Sequence, residues 1–389
     1  MSKELSPDFI RLMHQHYDAE TAQLLCSSLS ATEPEVSVRL NPYKWNPQWQ
    51  LSVPHESVPW CPGAYYLQQR PAFTFDPLFH AGAYYVQEAS SMYIASLLQQ
   101  HFAVQDRVVA LDLCAAPGGK STLLAGMLPH GSLLISNEPM PKRAQVLAEN
   151  MTKWTQMPQG EHYPVTSVVT QHYPGEFAAL EGCVDLLVTD VPCSGEGMFR
   201  KDDGAIQDWS LDNVDLCWHR QRDILQDIWH VLKPGGLLLY STCTFNRFED
   251  EDNARWICQQ LGAELLEERH FLPGRDRGEG FYVAAIRKAG TPIPDYVEPR
   301  LRTLRVLYNS AQASPFEGPH VQLSYQDALS YLRREALRVE APRGPVVLCY
   351  QGLVLGPGKG VGNRINNLYP EAWRIRTTYT TPFTLTGDL

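Results

Sequence analysis

Between residues 107 and 286, short apolar runs rich in β-branched residues alternate with stretches whose apolar positions recur every three or four residues. Runs of the first kind read as buried strands and stretches of the second kind as amphipathic helices. The pattern predicts strands at 107–113, 133–138, 165–169, 184–190 and 237–241, with a last one at 281–286. Helices are expected after Gly119, where Leu123, Leu124, Met127 and Leu128 share one face, and over 144–154, 215–232 and 250–260. Lys233-Pro234-Gly235-Gly236 reads as the stop of the third of these. Alternation of this kind belongs to an open, mostly parallel α/β sheet.

The flanks follow other rules. Residues 1–35 carry helical spacing (Phe9, Leu12, Met13, then Ala22, Leu24, Leu25, Cys26) interrupted near Asp18, and 37–41 alternate like a strand that Pro42 ends. From 43 to 85 the chain is dense in Pro and aromatic residues, and for any one ring packing in a core is favoured over base stacking. Residues 84–92 lead into a helix to about Gln100, with Ser90 or Ser91 as expected caps. Gly290-Thr291-Pro292-Ile293-Pro294-Asp295 reads as a linker. Beyond it lies a small α+β unit: a helix over 325–338, strands at 345–350 and 353–355, and a glycine-rich turn at Gly356-Pro357-Gly358-Lys359-Gly360. The expected division is 1–80, 81–288, a linker at 289–300, and 301–389.

A length of 389 residues suits two or three domains at roughly 150 residues each. No apolar run approaches the roughly 20 residues that span a bilayer, and the start lacks a signal-peptide core, so a cytoplasmic protein without membrane partners is expected. Nine cysteines include no C-x-x-C pair, which favours reduced thiols and no metal. The net charge of −10 argues against a general polyanion binder, but it is uneven: residues 1–100 carry −4, 101–288 carry −9 and 289–389 carry +3. A nucleic-acid footprint would therefore be local and C-terminal.

The stretch Val108-Val109-Ala110-Leu111-Asp112-Leu113-Cys114-Ala115-Ala116-Pro117-Gly118-Gly119-Lys120-Ser121-Thr122 reads strand, tight loop, helix. Its glycines admit close approach, and amides opening the helix favour a polar or anionic group. The phosphate loop G-x-x-x-x-G-K-[ST] would need Gly where Cys114 stands, and the dinucleotide fingerprint G-x-G-x-x-G is absent. The S-adenosylmethionine loop of a Rossmann-like methyltransferase is the remaining candidate. Ligands of such sheets sit at the carboxyl ends of the strands, where this chain places Glu138, Asp190 and two thiols, Cys193 and Cys243. An acid about 20 residues past the glycine loop suits a ribose diol, and Glu138 meets that requirement. A lone Cys is usually an inert, buried group; two at strand ends on the ligand side ask for another explanation.

With these residues the chain resembles the RNA (cytosine-5) methyltransferases of the NOL1/NOP2/Sun family, and most the bacterial 16S ribosomal RNA members of the RsmF type. The resemblance rests on Leu111–Thr122, on Asp190-Val191-Pro192-Cys193-Ser194-Gly195 with Val191 in place of Ala, and on Ser241-Thr242-Cys243-Thr244. Arg39-Leu40-Asn41-Pro42, Tyr85-Val86-Gln87-Glu88-Ala89-Ser90-Ser91-Met92, Met198-Phe199-Arg200-Lys201-Asp202 and Gly278-Glu279-Gly280-Phe281-Tyr282-Val283-Ala284 extend it, and 356–374 resemble the C-terminal RNA-binding unit. It implies a SAM-dependent methyltransferase sheet between an N-terminal RNA-binding α+β unit and a PUA-like C-terminal domain. It further implies Cys243 as the nucleophile that adds to cytosine C6, Cys193 as the thiol that assists its release, Asp190 on N3 and the exocyclic amine, and Lys120 in support. SAM would lie against Cys114, Ala115, Ala116, Pro117, Gly118, Gly119 and Lys120, with Glu138 on the ribose, Arg143 bracing that side and Asp190 bordering the site. The family's Asp before Gly, which contacts the adenine amine, is replaced in His172-Tyr173-Pro174-Gly175, so that contact is not carried over.

The implied partner is ribosomal RNA or the 30S subunit, met by a monomer. DNA enzymes use a nucleophile in a Pro-Cys motif alone, so the second thiol, Cys243, favours RNA. Transfer RNA as substrate, or a non-catalytic assembly factor that keeps the fold, stay open at this point.

Overall fold

The computed structural model describes residues 4–31, 34–102, 106–158, 161–293, 295–312, 316, 318–377 and 381–387. Pro294 of the expected linker, and parts of the terminal units, lie outside the described residues.

The chain opens with a helical hairpin, α1 (Pro7–His16) and α2 (Ala19–Ala31), broken at Asp18 as the spacing predicts. Strands β1 (Val36–Leu40), β2 (His55–Ser57), β3 (Ala64–Leu67) and β4 (Tyr84–Val86) form an antiparallel sheet in the order β2-β3-β1-β4, and α3 (Pro77–His80) lies between β3 and β4 in the chain. Tyr66, Phe73, Phe75 and Tyr84 are buried, which is the core reading of the aromatic segment. The turn before α4 (Ile94–His101) is capped by Glu88, whose carboxylate accepts from the amides of Ser90 (3.0 Å) and Ser91 (2.8 Å), and not by either serine.

The central sheet then takes β5 (Val109–Asp112), α5 (Gly119–Met127), β6 (Leu133–Asn137), α6 (Pro141–Thr155), β7 (Thr166–Thr170), β8 (Val184–Asp190), α7 (Asp203–Asp208), α8 (Leu211–Ile228), β9 (Leu232–Thr242), α9 (Glu251–Gln260), β10 (Ala263–Phe271), β11 (Phe281–Lys288) and β12 (Val306–Asn309). Its order is β10-β11-β9-β8-β5-β6-β7-β12, parallel from β9 to β7 and antiparallel at both edges. Alternate residues of each strand enter two separate cores: Ala110, Leu186 and Leu239 on one face, Leu111, Leu187 and Tyr240 on the other. Burial on both faces is why these strands read as continuous apolar runs.

Four elements depart from the expectations. Strand β10 was not expected, because Glu264, Glu267, Glu268 and Arg269 break the apolar pattern, as edge strands do. Strand β12, expected in the C-terminal unit, pairs with β7, so the chain after 290 returns to the central sheet before leaving it. Lys233-Pro234-Gly235-Gly236 lies inside β9, after α8 has already ended at Ile228. In the C-terminal unit, β13 (His320–Gln322), α10 (Tyr325–Leu332), β14 (Ala341–Tyr350), β15 (Leu353–Gly362) and β16 (Ile365–Asn367) follow, and the expected glycine turn at 356–360 is strand instead. A Cβ on Gly360 would stand 1.9 Å from Pro342 O, so that glycine serves close approach of β14 to β15 and not a reversal.

The N-terminal sheet and the C-terminal unit share a core, with Val38, Phe75 and Leu78 packed in one cluster with Leu329, Leu332 and Leu348. Buried Asp76 ties them further, accepting from Tyr84 Oη (2.8 Å), Leu78 N (2.9 Å) and Leu385 N (2.8 Å). No helix among the described residues is long and apolar enough to cross a membrane.

Candidate active site

Strand order reverses at the β5/β8 boundary: β6 and β7 lie on one side of β5, β8 and β9 on the other. A ligand crevice opens at such a point, outside the carboxyl ends of the strands. The topology brings to that end the loop after β5, Glu138 after β6, Asp190 to Cys193 after β8 and Cys243 after β9.

In the glycine loop, Gly118 adopts φ +118°, and the first α5 hydrogen bond runs from Thr122 N to Gly118 O (2.8 Å). The amides of residues 119–121 therefore point out of the helix N-terminus. The Ala115 amide is turned elsewhere, donating to Asn137 O at 2.8 Å, so it is not among the groups that can face a ligand. Arg143 Nη2 donates to Ala116 O (2.9 Å) and Nη1 stands 3.4 Å from Glu138 Oε2, so its guanidinium lies between the glycine loop and the end of β6. Asn150 Nδ2 fixes Pro117 O at 2.8 Å. Arg39, from the N-terminal sheet, is buried and donates to Thr122 Oγ1 (2.6 Å), Gly119 O (3.3 Å) and Gln87 Oε1 (3.0 Å). Two of the motifs N-terminal to the glycine loop, those holding Arg39 and Gln87, thus converge on the first turn of α5.

Asp112 ends β5 fully buried, with Oδ2 accepting from Ser121 Oγ (2.7 Å) and Oδ1 without a partner among the described residues. A buried, unpaired acceptor beside free helix amides and the 2% exposed Glu138 fits the amino acid and ribose of SAM. Burial pushes the Asp112 carboxyl up to about 7 and the Cys114 thiol up as well. Because the folded-state value of Asp112 lies above the ordinary 3.8, folding takes up a proton, and stability falls as pH rises from about 4 to about 7. Asp112→Asn is expected to remove a decline on the order of a few kcal/mol, read as urea midpoints at both ends of that range. A parallel decline in the variant would show that this carboxyl is not its source.

The two thiols meet: Cys193 Sγ and Cys243 Sγ lie 3.3 Å apart, both free and half-buried. The hydrogen bond to Cys243, and then burial, hold the Cys193 thiol well above its ordinary range. Lys120 Nζ pairs with Asp190 Oδ2 at 2.7 Å and stands 5.0 Å from the Phe281 ring centroid, while Ser241 Oγ donates to Asp190 Oδ1 at 3.0 Å. The lysine that would have met a triphosphate in a phosphate loop is therefore committed to the carboxylate of the thiol-bearing motif.

Sequence reasoning missed the groups that hold these thiols. Buried Glu196 accepts from Phe245 N (2.5 Å), Asn246 N (3.1 Å), Asn246 Nδ2 (3.0 Å) and Trp209 Nε1 (3.0 Å); burial, then the like charge of Glu249, raises it to about 7. Glu249 accepts from Ser194 N (3.0 Å), Gln221 Nε2 (2.6 Å) and Asn246 Nδ2 (2.8 Å), joining the Cys193 loop to the Cys243 loop. The amide of Gly197 donates to Cys243 O at 2.8 Å. A Cβ there would lie 2.9 Å from that oxygen and 3.3 Å from Cys243 Cβ. Gly197→Ala should displace Cys243 and lower kcat about 10²-fold with KM for cofactor unchanged, in steady-state assays. An unchanged kcat would mean that the loop yields without moving the thiol.

At the remaining corner, Pro174 stands in a turn held by Glu176 Oε2, which accepts from Tyr173 N at 2.7 Å, and by Arg305 N donating to His172 Nε2 at 2.6 Å. Met140 and Tyr173 are 52% and 62% exposed there.

Residues 5–89 match the N-terminal domain of 16S rRNA methyltransferase RsmF, residues 99–287 match 16S rRNA methyltransferase RsmB/F, and residues 319–375 match the methyltransferase RsmF PUA domain. The chain belongs to the RsmF-type methyltransferase family. A ribosomal RNA small subunit methyltransferase F from Pectobacterium atrosepticum is 35% identical over 272 residues, covering 63% of this chain and 53% of that protein. The relative of the same name from Aeromonas salmonicida is 26% identical over 83% of this chain and 85% of its own length. The chain spans about half the length of the first curated relatives it matches, 53% and 56%. Among solved structures, NSun6 from Pyrococcus horikoshii with SFG superposes with a TM-score of 0.61 at 16% identity, covering 74% of this chain and all (100%) of that one. A methyltransferase homologue from the same organism gives 0.57 at 23% identity over 73% of this chain. These two likenesses establish the Rossmann-like methyltransferase fold of the RsmF-type chain.

Proposed function

We propose that this chain transfers a methyl group from SAM to C5 of a cytosine in small-subunit ribosomal RNA, through a covalent bond between Cys243 and C6. The observation that carries the reading is the 3.3 Å contact between the two thiols at the end of β8 and β9, on the ligand side of the sheet. Cytosine C5 is a poor nucleophile, and addition of a thiolate at C6 makes it enamine-like. SAM supplies the methyl group when bound.

Each residue then has one task. Cys243 adds to C6, forming the S–C6 bond, and C5 takes the methyl group. Asp190, oriented by Lys120 and Ser241, holds N3 and the exocyclic amine of the base and offsets charge that develops on addition. Cys193, in contact with Cys243, assists loss of the C5 proton; the C5–C6 double bond reforms as the S–C6 bond breaks, and Cys243 is released. The amides of 119–121, with Asp112, hold the methionine end of the cofactor, Glu138 holds the ribose, and Met140 packs on the adenine in place of the missing acid contact. The C-terminal stretch 289–389, with its net charge of +3, supplies phosphate contacts.

Methyl transfer from labelled SAM to 16S RNA, 30S subunits and bulk transfer RNA, followed by bisulfite mapping, tests this reading. A single 5-methylcytosine in 16S RNA or the subunit is expected. Modification confined to transfer RNA would overturn the substrate, label at any atom but C5 would overturn the chemistry, and SAM binding without transfer to any RNA would favour an assembly factor.

A further inference from the structure

The hairpin α1–α2 has a core of its own, and the residues it packs on are those that follow the two thiols. Phe9, Leu12, Met13, Leu25 and Leu29 cluster with Phe199 and Trp209 from the segment after Cys193, and with Phe245, two residues after Cys243. The Phe9 ring lies 5.1 Å from Phe199 and meets Trp209 edge-on at 5.3 Å. Polar contacts repeat the pattern. Tyr17 Oη, at the end of α1, donates to Phe245 O (2.6 Å), and His16 Nδ1 accepts from Arg247 N (3.1 Å). His270, from β10, stands between Tyr17 Oη (3.2 Å) and Thr244 O (3.2 Å). The loop after Cys243 is thus held from one side by Glu196, through the amides of Phe245 and Asn246, and from the other by α1, through the carbonyl of Phe245 and the amide of Arg247. Trp209 closes the circuit, with its ring on Phe9 and its Nε1 on Glu196.

We propose that the N-terminal hairpin is a positioning element of the active site, with Tyr17 the residue that sets the place of the Cys243 loop. The inference rests on the covalent cytosine-5 reading. It gives α1 and α2 a task in the reaction that differs from gripping RNA: about 230 residues of sequence separate Tyr17 from the carbonyl it holds, and the bond joins the first element of the chain to the nucleophile's own loop.

Deleting the hairpin would expose its core, so the test uses Tyr17→Phe, which keeps the ring and removes only the hydroxyl, with its contacts to Phe245 O and His270 Nδ1. The substitution is made in the wild-type chain and in Cys193→Ala, where the adduct with RNA accumulates and its rate of formation reports on Cys243 directly. Adduct formation and kcat are expected to fall about tenfold, the effect of losing the hydrogen bond that holds the loop carrying the reacting thiol, with KM for SAM and RNA affinity held within about twofold. An adduct rate equal to that of Cys193→Ala alone overturns the inference, and so does a loss confined to RNA affinity, which would make the hairpin an RNA-gripping element. If Cys193→Ala itself yields no adduct, the cytosine-5 reading falls and the inference falls with it.

Discussion

Cys193→Ala is expected to leave RNA covalently attached to the protein, visible as a slower-migrating band under denaturing conditions that RNase removes. The two sulfurs lie 3.3 Å apart, so on the proposed reading the thiol that assists release is already in contact with the one that must be released. Without it, addition and methyl transfer still occur once, and turnover stops; multiple-turnover kcat should fall by about 10³-fold or more, within the range of a lost general acid–base group. Cys243→Ala is expected to form no adduct and to lose methyl transfer by about 10⁴-fold or more, as removal of a nucleophile does. The double variant should behave as Cys243→Ala, since the two act in sequence. A Cys193→Ala protein that turns over freely and never shifts in mobility would refute the assignment of roles.

Arg200→Met is expected to cost about 3–5 kcal/mol of stability, the penalty for leaving a buried carboxylate without its cation. Arg200 and Glu279 have side chains only 6% and 3% exposed, joined by Nε to Oε2 and Nη2 to Oε1, both at 3.0 Å. The guanidinium also donates to Gly278 O, and Glu279 Oε1 accepts from Glu35 N at 3.0 Å. Four segments, 35, 88, 200 and 278–279, therefore meet at this pair, Glu88 Oε1 accepting from Glu279 N at 3.1 Å. Replacing both partners, Arg200→Met with Glu279→Leu, should recover much of the loss, because an apolar pair of similar volume leaves no charge unmet. Urea unfolding of the single and double variants measures this; equal destabilisation in both would show that packing and not charge carries the effect.

Much of the catalytic half was legible in the sequence for physical reasons. Strands buried on both faces leave unbroken apolar runs, and Pro117, Gly118 and Gly119 mark the loop where backbone and ligand must approach. Asp190, Cys193 and Cys243 could be placed because each follows such a run directly. What stayed hidden depends on contacts distant in sequence. Glu196 and Glu249 are single acidic letters in loops, and no local pattern says that both are buried and wired to the thiol loops. The charged edge strand β10 and the return of β12 to β7 obey pairing, which leaves little periodic trace in the partner strand. Nor did helical spacing in residues 7–31 tell which surface Phe9 would meet.

One structural feature bears on which RNA can be served. The C-terminal unit is built into the N-terminal core through Asp76 and Leu385, and β12 fastens the connecting chain to the catalytic sheet. The molecule is therefore a caliper with its jaws locked. On the proposed function, an RNA that met the C-terminal unit and offered a base at the thiols would have to bridge a span dictated by the protein, and one a few base pairs too short or too long would be rejected for want of reach, however well it bound.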